Sequence, residues 1–210
     1  MILLQDRRCL IIDKPAGLPV HPGRAGGVSV ESQFPRWRVG KNGPWLAHRL
    51  DQDTAGCLVV ALKKSFLVEA QALFAQGRVR KTYWAVLRGV PAAREGVLDA
   101  PLLKVTQGRG WKMAVSPKGD AAVTAWRVLG DNGEMSLVEF TPTTGRTHQI
   151  RVHAAALGHP IIGDEMYGGG AGRLHLLARA IHVPTDPPVQ ATAPVPAHMR
   201  VAVEACGGAL

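Results

Sequence analysis

HRLDQDTAG, running from His48 to Gly56, is the stretch on which the reading of this chain turns. It sets one carboxylate, Asp51, directly after Arg49-Leu50 and just ahead of an apolar run, Gly56-Cys57-Leu58-Val59-Val60-Ala61-Leu62. A short continuous apolar run of this length predicts a buried strand over 56–62. An ionised carboxylate beside such a strand loses hydration, which is costly unless another group compensates its charge. Arg49 and Thr54 stand close by in sequence, and a second basic run, GRTHQIRVH from Gly145 to His153, can supply a further partner. Aspartate is a common turn residue, but in this setting Asp51 reads as a placed acid.

Size and charge frame that reading. A chain of 210 residues suits one domain spanning 1–210 and buries enough surface to need neither disulfides nor metals. Lys and Arg number 25 against 16 Asp and Glu, a formal net charge of +9. That excess points to a polyanionic partner, because Lys and Arg that neutralise phosphates release condensed counterions. No hydrophobic run reaches membrane-spanning length, so no membrane partner is expected. The Met1-Ile2-Leu3-Leu4 start lacks the basic n-region and cleavage site of a secretory signal. Cys9, Cys57 and Cys206 are odd in number and lack ligand spacing, which predicts buried free thiols in a reducing cytoplasm.

The pattern along the chain predicts an α+β fold: a large, mainly antiparallel mixed sheet flanked by helices. Strands are expected at 8–12, 56–62, 80–88, 121–129 and 135–141, the last two joined by the turn Gly130-Asp131-Asn132-Gly133. Along 80–88, Lys81, Tyr83, Ala85 and Leu87 share one face. Ser65 is placed to cap a helix that buries Phe66, Ala70, Leu73 and Phe74 and ends at Gly77. The Gly- and Pro-rich segment 19–44 predicts irregular structure, and the proline-rich 183–196 an extended one.

A short helix is expected after Gly145, running to Leu157 and closed by Gly158. Within it His148 and Arg151 lie three apart and Gln149 and His153 four apart, so each pair faces one direction. Arg146 then stands at the helix entrance, beside the N–H groups of the first turn. An arginine at a helix N-terminus suits a phosphate or a carboxylate, and an amphipathic helix with a solvated basic face is the plainer alternative. His148, His153 and His159 do not have zinc-ligand spacing, and no metal site is expected.

Several ordered motifs then carry a resemblance. Leu10-Ile11-Ile12-Asp13-Lys14-Pro15-Ala16-Gly17, HRLDQDTAG, Lys81-Thr82-Tyr83-Trp84-Ala85-Val86 and GRTHQIRVH come first. His159-Pro160-Ile161-Ile162-Gly163-Asp164, Tyr167-Gly168, and Arg173 with Leu176 and Ala178 follow. In this order the chain, from Gln5 to about Met199, resembles the RluA-type pseudouridine synthases, which isomerise selected uridines in ribosomal or transfer RNA. The resemblance implies a catalytic core with a curved mixed sheet, working in the cytoplasm as a monomer on tRNA or rRNA and not DNA. It implies no metal and no organic cofactor. By the same matching, Asp51 is the catalytic acid, Tyr83 lies at the base-binding site, and Arg146 pairs with the aspartate. Arg49 helps to extrude the base or fills the space it leaves. Ala55 and Leu177 depart from the family pattern, where a serine and a histidine are usual.

The chemistry is consistent with these residues. Pseudouridine formation breaks the N1–C1′ bond of uridine, turns the base and joins C5 to C1′, so no redox or energy-carrying cofactor is required. A carboxylate can attack C1′ or remove a ribose proton, and the sequence leaves both routes open. A stacked uridine must first be flipped out, at a cost of a few kcal/mol. Basic residues with an aromatic among them in 102–118 (Lys104, Arg109, Trp111, Lys112, Lys118) and the irregular His21 to Pro44 stretch are candidate RNA contacts. Two other readings compete: an RNA-binding protein without catalysis, against which the Asp51, Tyr83 and Arg146 set argues, and a carboxylate glycosidase. A glycosidase needs a second flanking acid, and Asp53 is too near in sequence to provide it.

Overall fold

In the computed structural model, which describes residues 1–23, 26–38, 41–108 and 110–210, the apolar run after Asp51 forms a strand with all seven residues buried. In chain order the elements begin with β1 (Ile2–Gln5), β2 (Cys9–Lys14), α1 (Phe34–Trp37), β3 (Trp45–Leu46), β4 (Ala55–Ala61), α2 (Lys64–Ala75) and β5 (Arg80–Arg88). They continue through β6 (Glu95–Asp99), β7 (Leu102–Gln107), β8 (Gly110–Val115), β9 (Val123–Asp131), β10 (Met135–Pro142) and α3 (Gln149–Ala156). β11 (Leu176–Val183), β12 (Val189–Thr192) and α4 (Ala197–Ala205) complete an α+β architecture. The residues group into two compact units, Met1–Lys81 with Ala178–Pro194 and Thr82–Leu177 with Val195–Leu210.

In the first unit β2 pairs antiparallel with β4, placing Lys14 opposite Gly56 and Asp13 opposite Cys57. β1 borders β2, β3 pairs β4, and β12 pairs β11, each antiparallel. The core is apolar: Leu10, Ile11, Leu58, Val59 and Val60 are at most 1% exposed. Helix α2 adds Phe66, Leu67, Ala70 and Leu73. Each large side chain buried there contributes about 1.5–3 kcal/mol, which offsets the cost of burying polar groups nearby. Ser65 does not cap α2: the cap lies two residues earlier, at Lys63, which is extended and whose carbonyl accepts the Leu67 N–H. The strand-to-helix turn sits there because Leu62 and Lys63 both donate to the Arg8 carbonyl. At the far end Gly77 takes a φ of 69° while the Arg78 N–H bonds back to Leu73, the left-handed closure its position suggested. Among its described residues the segment 19–44 holds only the short α1 and one turn of 3-10 helix, Glu31–Gln33; Arg24, Ala25, Val39 and Gly40 lie outside the described residues.

In the second unit β5, β10, β9 and β6 lie side by side in that order, all antiparallel, and β7 with β8 makes a separate hairpin. Ala85, Val86 and Leu87 are all buried, so both faces of β5 are covered there. The main cluster joins Ala85, Leu87, Trp126, Val138, Phe140 and Ile150, and a smaller one joins Leu102, Met113, Ala122 and Val152. The expected turn at 130–133 is shorter than predicted. Gly130 belongs to β9, where the Cys206 carbonyl oxygen takes up the space a Cβ would need. That approach demands glycine, and the reversal passes to Asn132 and Gly133. Helix α4, which follows the extended proline-rich segment, was not anticipated.

Candidate active site

Asp51 lies on a turn whose geometry is set from below by a buried cation. Lys14 ends β2 with no exposed surface. Its Nζ donates to the carbonyls of Pro15 (2.9 Å), Leu18 (2.8 Å) and Gln52 (2.7 Å). The Gly17 N–H donates to the same Gln52 carbonyl at 3.0 Å. The residue immediately after Asp51 is thus gripped by two donors from the Lys14-Pro15-Ala16-Gly17 turn. The Thr54 N–H closes the loop onto the Asp51 carbonyl at 3.2 Å, and Thr54 itself is buried. Burial pushes the Lys14 ammonium down to about 8, opposed by the charges of Asp53 and Asp51. Lys14 remains the cation that the acid-bearing turn is built around.

His48 braces the other end of the turn. Its Nε2 accepts the Val59 N–H at 3.0 Å, and its ring packs on Phe74 with centroids 4.7 Å apart. Burial of the ring, with the positive charge of Lys81, pulls His48 down to about 3. It is therefore a neutral acceptor tying HRLD to β4. Leu50 is buried, Asp51 half-buried, and Arg49 and Asp53 exposed. The alternation carries Leu50 inward and leaves Arg49 outside. Ala55 and Leu177, the two departures from the family pattern, are almost fully buried, where an apolar side chain needs no hydrogen-bond partner.

The second unit carries Tyr83 and Arg146. Tyr83 lies opposite Phe140 in the β5–β10 pairing, is half-buried, and packs against the main cluster. Arg146 has 43% of its side chain exposed; its Nε donates to the Ala121 carbonyl at 3.0 Å. Its contact with Asp120 is long, 3.7 Å, and Asp120 is exposed, so the pair adds little stability. α3 starts at Gln149, later than expected, because His148 takes a left-handed φ of 53°. Such a conformation costs a non-glycine residue about 1–2 kcal/mol.

Gln149 ties down the turn before α3 with its side-chain amide. Its Oε1 accepts the Arg146 N–H (2.9 Å) and the Thr144 hydroxyl (2.8 Å). Its Nε2 donates to the Val123 carbonyl and to Thr124 Oγ1. His153, fully buried, shares Thr124: Nδ1 lies 2.9 Å from Oγ1 and Nε2 lies 3.0 Å from the Ala100 carbonyl. A carbonyl only accepts, so Nε2 carries the proton, and burial lowers the pKa of the ring and keeps it neutral. Thr124 then donates to Nδ1 and accepts from Gln149, and every bond in the chain has one consistent direction. The Gln149–His153 pair does face one way, but inward.

The His148–Arg151 pair faces the other way, onto Tyr167. His148 Nδ1 lies 2.9 Å from the Tyr167 hydroxyl, and the Arg151 guanidinium sits 5.1 Å from the Tyr167 ring centroid. Arg151 donates twice to buried Asp164, at 2.7 and 2.8 Å. The basic run thus braces itself instead of presenting a solvated face. Of the residues expected in the site, Asp51 and Arg49 lie in the first unit and Tyr83 and Arg146 in the second. Lys14 and Gln149 were not singled out from sequence for these roles, although each lies inside a motif. Among the described residues, no group of His, Cys, Asp and Glu is arranged to hold a metal.

Comparison with known proteins supplies the remaining observation. A family model described as RNA pseudouridylate synthase matches residues 8–156. An uncharacterized RNA pseudouridine synthase of Zymomonas mobilis is 44% identical over 204 residues, covering 93% of each chain. A ribosomal large subunit pseudouridine synthase C of Vibrio cholerae is 36% identical over 96% of this chain and 68% of its own. Among solved structures, human RNA pseudouridylate synthase domain containing 4 has a TM-score of 0.83 at 29% identity, covering 98% of this chain and 92% of that one. Human RNA pseudouridylate synthase domain containing 1 has a TM-score of 0.79 at 31% identity, covering 92% and 82%.

Proposed function

Because this chain belongs to the RNA pseudouridylate synthase family, as a member of the RluA type that isomerises uridine in RNA, we propose that Asp51 performs the isomerisation. Its carboxylate meets the ribose of an everted uridine, either at C1′ or at a ribose proton. The N1–C1′ bond breaks, the base turns, C5 bonds to C1′, and the proton released from C5 is balanced by one gained at N1. Tyr83 stacks on the uracil and carries the C5 proton, Arg146 pairs with and orients Asp51, and exposed Arg49 occupies the space the base leaves. The observation that supports this most is the double grip on the Gln52 carbonyl by Lys14 and Gly17, which holds a half-buried acid in one place. Catalysis gains from such pre-set geometry, since misplacement of the reacting group by about 1 Å costs on the order of a hundredfold.

The substrate we assign is ribosomal RNA, in line with the Vibrio cholerae relative's name, with tRNA the alternative and no DNA substrate expected. Residues 1–210 act as one catalytic domain and as a monomer in the cytoplasm, with the net charge of +9 offsetting the cost of base flipping through phosphate contacts. No helix among the described residues is long and apolar enough to cross a membrane. Pseudouridine mapping of total RNA from cells with and without the protein tests this. Loss of one or a few pseudouridines in large-subunit rRNA is expected, loss confined to tRNA would reassign the substrate, and identical maps would refute the reading.

A further inference from the structure

The β7–β8 hairpin carries a large exposed aromatic that neither the core nor the proposed chemistry uses. Trp111 is 42% exposed, although a side chain of that size is usually mostly covered. The hairpin register puts Trp111 opposite Thr106 and Lys104 opposite Met113, so Trp111 and Lys104 are diagonal neighbours on one face. Lys104 is exposed and holds its Nζ 4.3 Å from the Trp111 ring centroid. The His148 ring stacks on Trp111, with centroids 5.4 Å apart and planes 24° from parallel. His148, on which the indole stacks, is two residues from Arg146 in sequence.

The platform is built before any ligand arrives. The Tyr167 hydroxyl accepts the N–H of Met113, two residues from Trp111 on the same strand, and lies 2.9 Å from His148 Nδ1. Tyr167 in turn is packed under Arg151, which buried Asp164 fixes. Trp111 and His148 are thereby held in register by one hydroxyl, and little ordering remains to be done on binding. A lysine resting on an exposed aromatic is weakly held, whereas stacking of a nucleobase on an aromatic is stronger and independent of base identity. A base that takes the ring displaces the ammonium, which is then free to meet the phosphate of the same nucleotide.

We propose that Trp111 and Lys104, backed by His148, form a seat for one unpaired nucleotide of the RNA substrate, its base stacked on the indole and its phosphate paired with Lys104. The inference rests on the RNA-isomerase reading only for the class of its ligand. Arg109 lies outside the described residues.

The test uses the full chain and two probes, a 12-nucleotide single-stranded RNA of mixed sequence and an abasic oligomer of equal length and charge. Trp111→Ala should weaken binding of the RNA about five- to hundredfold and leave the abasic oligomer's affinity unchanged, and Trp111→Phe should restore most of the loss. Lys104→Ala should weaken both probes and reduce the slope of log affinity against log salt by about 0.7. Trp111→Ala binding RNA within about twofold of wild type, equal losses on both probes, or a wild type that does not distinguish them would each overturn the seat. Tritium release from RNA labelled at uridine C5 is read separately. A wild type that binds in the expected pattern but releases no tritium would refute the isomerase reading and leave the seat standing.

Discussion

Replacing Lys14 with methionine separates the two things this residue does. At neutral pH the folded chain keeps an ammonium in a place where burial holds its pKa at about 8 instead of 10.5, and that displacement corresponds to about 3 kcal/mol given up on folding. Lys14→Met recovers that cost. Against it, the carbonyls of Pro15, Leu18 and Gln52 lose their donor. Pro15 and Gln52 are exposed, so water can reach their carbonyls, and about 1 kcal/mol for each acceptor is appropriate. The two effects nearly cancel, and Lys14→Met should change global stability by less than about 2 kcal/mol. The grip on the turn carrying Asp51 is lost all the same, so turnover should fall at least about tenfold. Urea unfolding supplies a second readout through pH. Between about 8 and 10.5 the unfolded chain still holds a proton that folded Lys14 has released, so wild-type stability rises with pH through that window. The difference between wild type and Lys14→Met should therefore shift by about 3 kcal/mol in favour of wild type from pH 8 to 10.5. Unchanged turnover, together with a stability difference that stays flat across that range, would refute the reasoning.

Three further expectations follow from buried polar groups. Gln149→Leu removes four hydrogen bonds around the Arg146 turn and should cost about 2–4 kcal/mol in urea unfolding; a loss under about 0.5 kcal/mol would show that water replaces the amide. Asp164→Asn strips buried Arg151 of its charge partner and should cost about 3–5 kcal/mol, while Arg151→Met combined with Asp164→Leu should cost less than either single change; additive losses in the double mutant would contradict this. Neutral His48 and His153 have folded pKa values below 6.5, so unfolded imidazoles take up protons that the folded ones refuse. Stability from these groups is complete above about pH 6.5 and falls as the pH drops from there towards 3. His48→Gln should flatten that fall, and an unchanged acid profile would show that His48 is not held neutral.

The local pattern carried the strands that matter most, because β4 is a continuous apolar run and Gly77 marks a helix end in the chain itself. It also carried the shared face of Gln149 and His153, since spacing along a helix is a local property; His148, outside α3, meets Arg151 around Tyr167 for a different reason. What it could not carry depends on distant partners. Lys14 acquires its role from Gln52, 38 residues away, and Gln149 from Thr124, 25 residues away. The late start of α3 is set by His148, whose strained backbone is held by Tyr167 and Trp111 from other segments. Lys63, not Ser65, caps α2 because the Arg8 carbonyl gathers the N–H groups of Leu62 and Lys63, a contact no helix-capping rule anticipates. The Leu102 to Lys118 sequence shows basic residues with an aromatic, and the hairpin register explains why Lys104 and Trp111 belong to one surface.

The most direct measurement of the account is tritium release from C5-labelled RNA by wild type and Asp51→Asn, with RNA affinity recorded in parallel. Wild type should release tritium, and Asp51→Asn should release none while binding RNA with nearly unchanged affinity. Turnover by Asp51→Asn close to that of wild type would remove this carboxylate from the reaction and contradict the account.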